Sequence, residues 1–509
     1  MKMDGPGRMP STSSFRANPN PETVNMIGLD FGSTTSSVMV ASARIGANAA
    51  TGRMELGAPR VLYRPEPVFT PFEGNTIDPV ALNRHIDRWT SENGTPREAL
   101  VSGGAIITGL AAERANANAI AHMVGARFSE ALIATAADPR LESWLAFMGN
   151  CSALSRFHAD TPFINLDIGG GTTNAAYGLA GNVLHTGCHF IGARHFQFEP
   201  GGYRLTGASP YGRALLTSLG IRKGPGQRLS SMETEAVIDF YTTALEAVAT
   251  GDAGFFEDPD TRIYTQAPFV FDKTGPTPVL VFSGGVGELV YRQSQGRKIP
   301  GTTHYGDLGI DLAARMIKSP ILSAHIGKLI PENMGRATVC GLTLHSTEIS
   351  GSTLFLPSPE ILPCRDLPIV ARFPADAGKE VIRQAVSLAG ASPTGACIQI
   401  LPSQNRKQPD AGPPGCESLE TIKALGACLH DAARHLKPGK PVVLLAPYNY
   451  GQTLGNYATA WRQDPFGLVV IDEVPDRRAQ FVNIGRPRNG IVPISFYGIY
   501  QSLQDKEGS

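Results

Sequence analysis

The sequence predicts a duplicated α/β protein: two related domains with mixed sheets around a nucleotide cleft, followed by a further α/β region at the C-terminal end. Three observations carry this. One short segment occurs twice, about a domain length apart. A glycine-rich strand-to-helix junction follows the second copy, and the pattern changes style beyond about residue 346.

The 509 residues exceed what one core can organise, so two to four domains are expected. Residues 1–25 are rich in Pro, Ser, Asn and Gly and nearly free of apolar side chains, which reads as a disordered tail without the apolar stretch of a signal peptide. The first domain is placed over 26–162. It opens with Met26-Ile-Gly-Leu-Asp-Phe-Gly-Ser-Thr-Thr-Ser, an apolar strand entering Asp-x-Gly, then turns into Val38-Met-Val-Ala. Strand, glycine turn and strand spell a β-hairpin. Helices are expected over 78–93 and 110–128, with a strand over 101–108 ending at Gly109. The second domain, over 163–345, opens with the echo Ile164-Asn-Leu-Asp-Ile-Gly-Gly-Gly-Thr-Thr-Asn; its Asp167 follows Asp30 by 137 positions (167 − 30). A Gly-rich stretch over 187–212, a long helix over 232–250 and an irregular insertion over 251–278 come next. A strand from Pro278 then ends in Ser283-Gly-Gly-Val-Gly-Glu, and a helix over 308–318 and a strand over 337–340 close the domain. The C-terminal α/β region, over 346–509, has strands over 441–446 and 467–474. The stretches 363–369, 397–401 and 411–416 read as turn-rich punctuation, and Gly451-x-x-x-Gly455 as a phosphate-like or plain turn in preference to a helix-packing motif.

The two Asp-x-Gly hairpins suit the grip of a magnesium nucleotide. Asp30 and Asp167 end equivalent strands and can face one another across a cleft, each acting on a hydrated magnesium ion or on attacking water. Gly32, Gly169, Gly170 and Gly171 let backbone N–H groups approach phosphate oxygens without a Cβ in the way. Ser33, Thr34, Thr35, Thr172 and Thr173 add hydroxyl donors at the same turns. Plain structural hairpins are the alternative, but an Asp at the same offset in both copies argues for a shared ligand. Gly284, Gly285 and Gly287 allow a nucleoside close to the backbone, and Glu288 either contacts the ribose or favours the helix dipole. ATP or ADP with Mg²⁺ is the cofactor these features predict.

Other classes are excluded or disfavoured. Lys plus Arg and Asp plus Glu both number 45, so no global field gathers nucleic acid. The seven cysteines form no C-x-x-C pair, as expected for reduced structural thiols in a cytoplasmic protein. No apolar run reaches the length that crosses a membrane. His185, His189 and His195 lack tight ligand spacing for a metal. Neither a G-x-x-x-x-G-K-[ST] loop nor a G-x-G-x-x-G fingerprint is present.

Hairpin, connecting helix, second hairpin and Gly-Gly-x-Gly, in that order over about 26–344, resemble actin, the sugar kinases and the heat-shock chaperone ATPases. The resemblance implies an actin-like, ribonuclease H-like fold in which two Asp residues flank the metal nucleotide and the domains open and close around it. A closer resemblance is to the EutA family. It is carried by Leu29-Asp-Phe-Gly-Ser-Thr-Thr, Ser102-Gly-Gly-Ala-Ile-Ile-Thr-Gly, Leu141-Glu-Ser, Asn165-Leu-Asp-Ile-Gly-Gly-Gly-Thr-Thr-Asn, Leu280-Val-Phe-Ser-Gly-Gly-Val-Gly-Glu, Arg336-Ala-Thr-Val, Ser350-Gly-Ser-Thr, Val470-Ile-Asp-Glu-Val and Ile491-Val-Pro-Ile. That family implies an ATP-dependent, chaperone-like reactivating factor for ethanolamine ammonia-lyase. The partner would be the lyase, through both subunit types, with cobalamin handled indirectly, and without nucleic acid or membrane; a homodimer and association with a bacterial microcompartment are left open. It also implies that Thr108 lies near the metal, although its bottom-up reading is equally a helix cap. The chain departs from the pattern at Leu110, where related sequences carry Glu. The alternative of another class is a small-molecule kinase of the same fold, taking its base from Asp239 or Asp311. A polymerising actin-like scaffold leaves the C-terminal region unexplained.

Overall fold

The computed structural model describes residues 22–47, 54–57, 59–74, 76–94, 100–112, 114–128, 132–136, 139–351, 353–404, 416–434, 440–461, 467–487 and 491–499. The tail expected over 1–25 lies outside these residues up to position 21. Its last four residues already belong to the first strand, β1 (Glu22–Phe31), where Val24 and Met26 are buried.

In the first domain β1 pairs antiparallel with β2 (Thr35–Ala47), in the register Asp30↔Ser37. Small strands β3 (Met54–Leu56), β4 (Arg60–Tyr63) and β5 (Val68–Phe69) pair with β2, and β6 (Phe72–Glu73) and β7 (Thr76–Ile77) form a separate hairpin. Helix α1 (Pro79–Glu92) follows, then β8 (Leu100–Ile107), α2 (Ala117–Arg127) and β9 (Leu132–Ala136), with β1, β8 and β9 parallel. Helix α1 starts where its sequence says: Asp78 accepts hydrogen bonds from the Val80 and Ala81 N–H groups, and Pro79 needs no partner. Its buried Leu82, Ile86 and Trp89 meet Ile27, Leu29, Phe31 and Val40 of the sheet. The helix expected over 110–128 is shorter, because Gly109–Ala111 is a single 3₁₀ turn and α2 begins at Ala117.

Two helices lead on, α3 (Pro139–Asn150) and α4 (Ser152–Phe157). The second domain repeats the opening with β10 (Phe163–Ile168) and β11 (Thr173–Leu179) antiparallel, in the register Asp167↔Asn174. Strand β12 (Asn182–His189), the small hairpin β13 (Phe196–Phe198) and β14 (Leu205–Ala208), α5 (Pro210–Ser218) and α6 (Ser231–Thr250) come next. They are followed by β15 (Thr265–Ala267), β16 (Val279–Ser283), α7 (Gly284–Ser294) and α8 (Gly309–Lys318); β16 pairs parallel with β10. Helix α6 is fixed by a capping box between Ser230 and Glu233 and by Gly251 in the left-handed region at its end. Its Val237, Tyr241, Leu245 and Val248 are buried in the core of this domain.

Residues 337–340, expected to form a strand, begin a helix, α9 (Ala337–His345). The run Ala-Thr-Val-Cys is buried on all sides, so it shows neither period and its length alone does not decide the type. Helix α9 crosses α3 at backbone distance: a Cβ on Gly149 would lie 2.0 Å from the Ala337 carbonyl oxygen, and one on Gly341 2.0 Å from that of Leu145. On its other side α9 covers β1, where a Cβ on Gly28 would meet Thr343 Oγ1 at 2.2 Å.

The C-terminal region comprises β17 (Glu348–Ile349), β18 (Cys364–Pro374), α10 (Lys379–Ala391), β19 (Ala396–Leu401), α11 (Leu419–Ala433), β20 (Val442–Leu445), α12 (Gly451–Ala458), β21 (Leu468–Ile471), β22 (Ala479–Ile484) and β23 (Pro493–Ile499). Its sheet runs β17-β23-β22-β18-β19-β20-β21, with β18 to β21 parallel. The stretches 363–369 and 397–401, read as punctuation, lie largely in β18 and β19, and 411–415 lies outside the described residues. Gly451 and Gly455 sit on α12 rather than in a turn, and a Cβ on Gly455 would be 2.0 Å from Phe355. The region leans on the first domain: Ile349 and Ile491 join Val24 and Ile45, and Tyr497 packs with Ile106, Leu141, Leu145 and Leu342. Among the described residues no helix is long and apolar enough to cross a membrane.

Candidate functional site

The two hairpins close alike. The Gly32 N–H donates to the Thr35 carbonyl and the Gly169 N–H to that of Thr172, each at 2.9 Å. Each hairpin is flanked by a third, parallel strand that ends in a hydroxyl residue and a glycine, Thr108-Gly109 after β8 and Ser283-Gly284 at the end of β16. Both hydroxyls donate to the neighbouring Asp: Thr108 Oγ1 to Asp30 Oδ1 at 3.0 Å, and Ser283 Oγ to Asp167 Oδ2 at 2.7 Å. Gly109 (φ 57°) and Gly284 (φ 77°) take left-handed backbone, so the chain turns sharply off both strands at a conformation a side chain would strain. The duplication thus extends to three strands and four positions per half.

These elements face one another across a cavity of about 390 Å³. Its walls include Asp30, Gly32, Ser33, Thr34, Thr35, Thr108, Asp167, Gly169, Gly170, Gly171, Thr172, Gly284, Gly285 and Glu288. Thr173 and Gly287, also expected to bind the nucleotide, are not among its lining residues. Thr173 donates its hydroxyl to the Ile191 carbonyl at 2.7 Å, and Gly287 packs on Phe282, so both support the walls from behind. The hairpins approach closely. A Cβ on Gly170 would lie 2.3 Å from Thr34 Oγ1, and one on Gly171 3.0 Å from Ser33 Oγ. Thr34 Oγ1 is buried without a hydrogen-bond partner, the state of a donor that awaits an acceptor. The second hairpin is braced from below, where the Ala193 N–H donates to the Gly169 carbonyl at 3.1 Å and the Arg194 N–H to that of Gly170 at 2.5 Å.

Three carboxyl groups meet at the floor. Burial pushes Asp30 up to about 7, against the hydrogen bond from Thr108 and helped by the charge of Asp167, and pushes Asp167 up to about 6, against the bond from Ser283. The third is Glu142 on α3, buried and held well above the carboxylate range by desolvation, then by the charges of Asp30 and Asp167; the Gly109 N–H and the Asn174 amide oppose this. Within Leu141-Glu-Ser, the sequence pattern assigns Glu142 no role. Its signal was a carboxylate inside an otherwise apolar helix, Leu-Glu-Ser-Trp-Leu-Ala-Phe-Met. Asp307, which pairs with Arg194 at 3.8 Å, is a further lining carboxylate that no sequence motif marks.

A cluster of buried carboxyls with raised affinity for protons is a site short of positive charge, and a divalent cation with the cradle of bare glycines fits that shortage. Among the described residues no group of three His, Cys, Asp or Glu stands close enough to hold an ion directly. His189 and His195 are buried on the far side of the second hairpin, and burial pushes both down to about 4. The kinase candidates are absent from the lining: Asp239 pairs with Arg315, and Asp311 accepts from Thr302 and Tyr203.

Comparison with known proteins places the chain. The model of the family described as ethanolamine utilisation protein EutA matches residues 22–498, and the chain belongs to that family. It is 28% identical over 478 residues to the ethanolamine ammonia-lyase reactivase EutA of Salmonella typhimurium (strain LT2), covering 92% of this chain and 97% of that protein. It is 26% identical over 477 residues to the reactivase of the same name from Escherichia coli (strain K12), with the same coverage. Among solved structures, the PPX-GPPA enzyme of Aquifex aeolicus overlaps 54% of this chain and 72% of its own, at 13% identity and a TM-score of 0.31.

Proposed function

We propose that this chain is an ATP-dependent reactivating factor for ethanolamine ammonia-lyase. The observation that carries the reading is the match of residues 22–498 to one family whose curated relatives bear that name. The cavity supports it independently, because it joins two hairpins that can grip phosphates to a floor of carboxylates. In this reading the backbone N–H groups of Gly32–Thr35 and Gly169–Thr172 and the hydroxyls of Ser33 and Thr34 hold the β and γ phosphates. Asp30 and Asp167, oriented by Thr108 and Ser283, would hold Mg²⁺, which would supply neutralisation of the phosphate charge. Gly284 and Gly285 lie against the nucleoside, and Glu288 accepts from the ribose. Glu142, on the same floor, orients the attacking water.

Hydrolysis changes which groups the two hairpins grip, and so the separation of the domains. The lyase, met through both subunit types, would be opened by that change, releasing damaged cobalamin so that intact adenosylcobalamin rebinds. The test starts from lyase stalled with hydroxocobalamin, to which this protein, ATP, Mg²⁺ and adenosylcobalamin are added. Recovery of lyase activity that needs ATP and disappears with Asp167→Asn is expected. ATP hydrolysis without recovery would replace this reading with one in which the nucleotide serves another acceptor.

A further inference from the structure

The nucleoside end of the cavity is walled by a short span that holds both domains at once. Met334 packs against the core of the second domain, and Gly335 presses on α7 so closely that a Cβ there would lie 2.1 Å from Glu288 Oε2. The next residue turns the other way: Arg336 Nη2 pairs with Glu66 Oε2 at 3.0 Å and its Nη1 donates to the Arg64 carbonyl at 3.2 Å, both on the first domain. Arg64 returns the contact, donating from Nη1 to Asn333 Oδ1 at 2.9 Å. Glu66, Glu288, Gly335 and Arg336 all line the cavity. Arg336 also immediately precedes α9, the helix laid on β1 and α3.

We propose that the turn Met334–Arg336 is a strap that gates nucleotide release, with Arg336 as its positioning residue and the Glu66 ion pair as its latch. This rests on the nucleotide reading of the cleft. Separation of the domains needed to free the nucleoside pulls Gly335 and Arg336 in opposite directions, so the latch must part first. The latch is built to part: the Glu66 side chain is 95% exposed and that of Arg336 16%, so water and salt compete for the pair.

The test is the dissociation rate of N-methylanthraniloyl-ADP from the full chain, read by stopped-flow fluorescence at low and high salt. Glu66→Gln is expected to speed release by about two- to fivefold, the range an exposed pair supports. Release from the unaltered protein quickens as salt rises towards about 1 M, while release from Glu66→Gln ignores salt. Arg336→Lys restores part of the salt dependence and Arg336→Ala none, a distinction that a merely structural role would not produce. Bound analogue that leaves all variants at one rate, or with one salt slope, overturns the strap and leaves the nucleotide reading standing. Failure of the unaltered protein to bind the analogue at all overturns both.

Discussion

The two halves of the cleft are copies in topology and opposites in chemistry. The first hairpin carries hydroxyls at its tip, Ser33 and Thr34, whereas the second carries bare backbone, Gly170 and Gly171, on which those hydroxyls close. The flanking strands differ too. Ser283 Oγ accepts from Asn165 Nδ2 at 3.0 Å, and Asn165 Oδ1 in turn accepts from Asn150 Nδ2 at 2.7 Å, so a fixed hydroxyl is presented to Asp167. For Asp30 the hydroxyl donor is Thr108. Duplication supplied two similar grips, and one nucleotide between them requires that they be complementary rather than alike: where one side gives donors, the other must give room.

That contrast can be broken most severely at the floor. Asp167→Asn and Asp30→Asn should each lower ATP hydrolysis by at least about 100-fold with an unchanged far-UV dichroism spectrum. Equal retained activity in either would mean that the two carboxylates do not share one ion. Next in size is the asymmetry of the tips. Gly170→Val places a branched side chain against Thr34 and should weaken ATP at least about tenfold by calorimetry, while Ser33→Ala, which removes a donor and takes the acceptor of the Leu110 N–H, should cost about two- to tenfold. The reverse ranking would show that the bare turn does not face the phosphates.

The pH dependence is smaller but sharper. With Asp30 at about 7 and Asp167 at about 6, Mg²⁺ must displace protons below neutrality, so its affinity should rise through pH 6 to 7 and level off above. Without the ion the sign for stability reverses. On Asp30 and Asp167 the native protein holds protons that the unfolded chain has already released near pH 4, so their share of stability falls as pH climbs from about 4 to about 7, while the share of His189 and His195, held near 4, rises. Asp30→Asn should therefore gain melting temperature relative to the unaltered protein as pH rises through that window; a constant difference would contradict the burial of Asp30. Smallest of all, Thr108→Val and Ser283→Ala each remove a hydrogen bond to a carboxylate. Each should move the midpoint of the Mg²⁺ profile upward by less than about one pH unit, because the bond favours the ionised form.

What the sequence determined alone is whatever is encoded within a few residues. The Asp-x-Gly turns, the left-handed Gly284 after its strand, the Asp78 cap and the Ser230 capping box each need particular residue types at fixed offsets, and the chain displays them openly. The pairing of Asp30 with Asp167 was legible because the motif occurs twice. Tertiary structure decided the rest. Glu142 joined the floor only because α3 lies between the two sheets, and a buried carboxylate on a helix carries no local mark of what it faces. Residues 337–345 became a helix because Gly28, Gly149 and Gly341 admit one at backbone distance, a fact held by three separate segments. Thr173 and Gly287 went to the wall's outer side because strand and helix periodicity turn neighbouring positions away from one another. Local rules fix the turns; which side chains then meet depends on contacts between residues far apart in the chain, and no single segment contains that information.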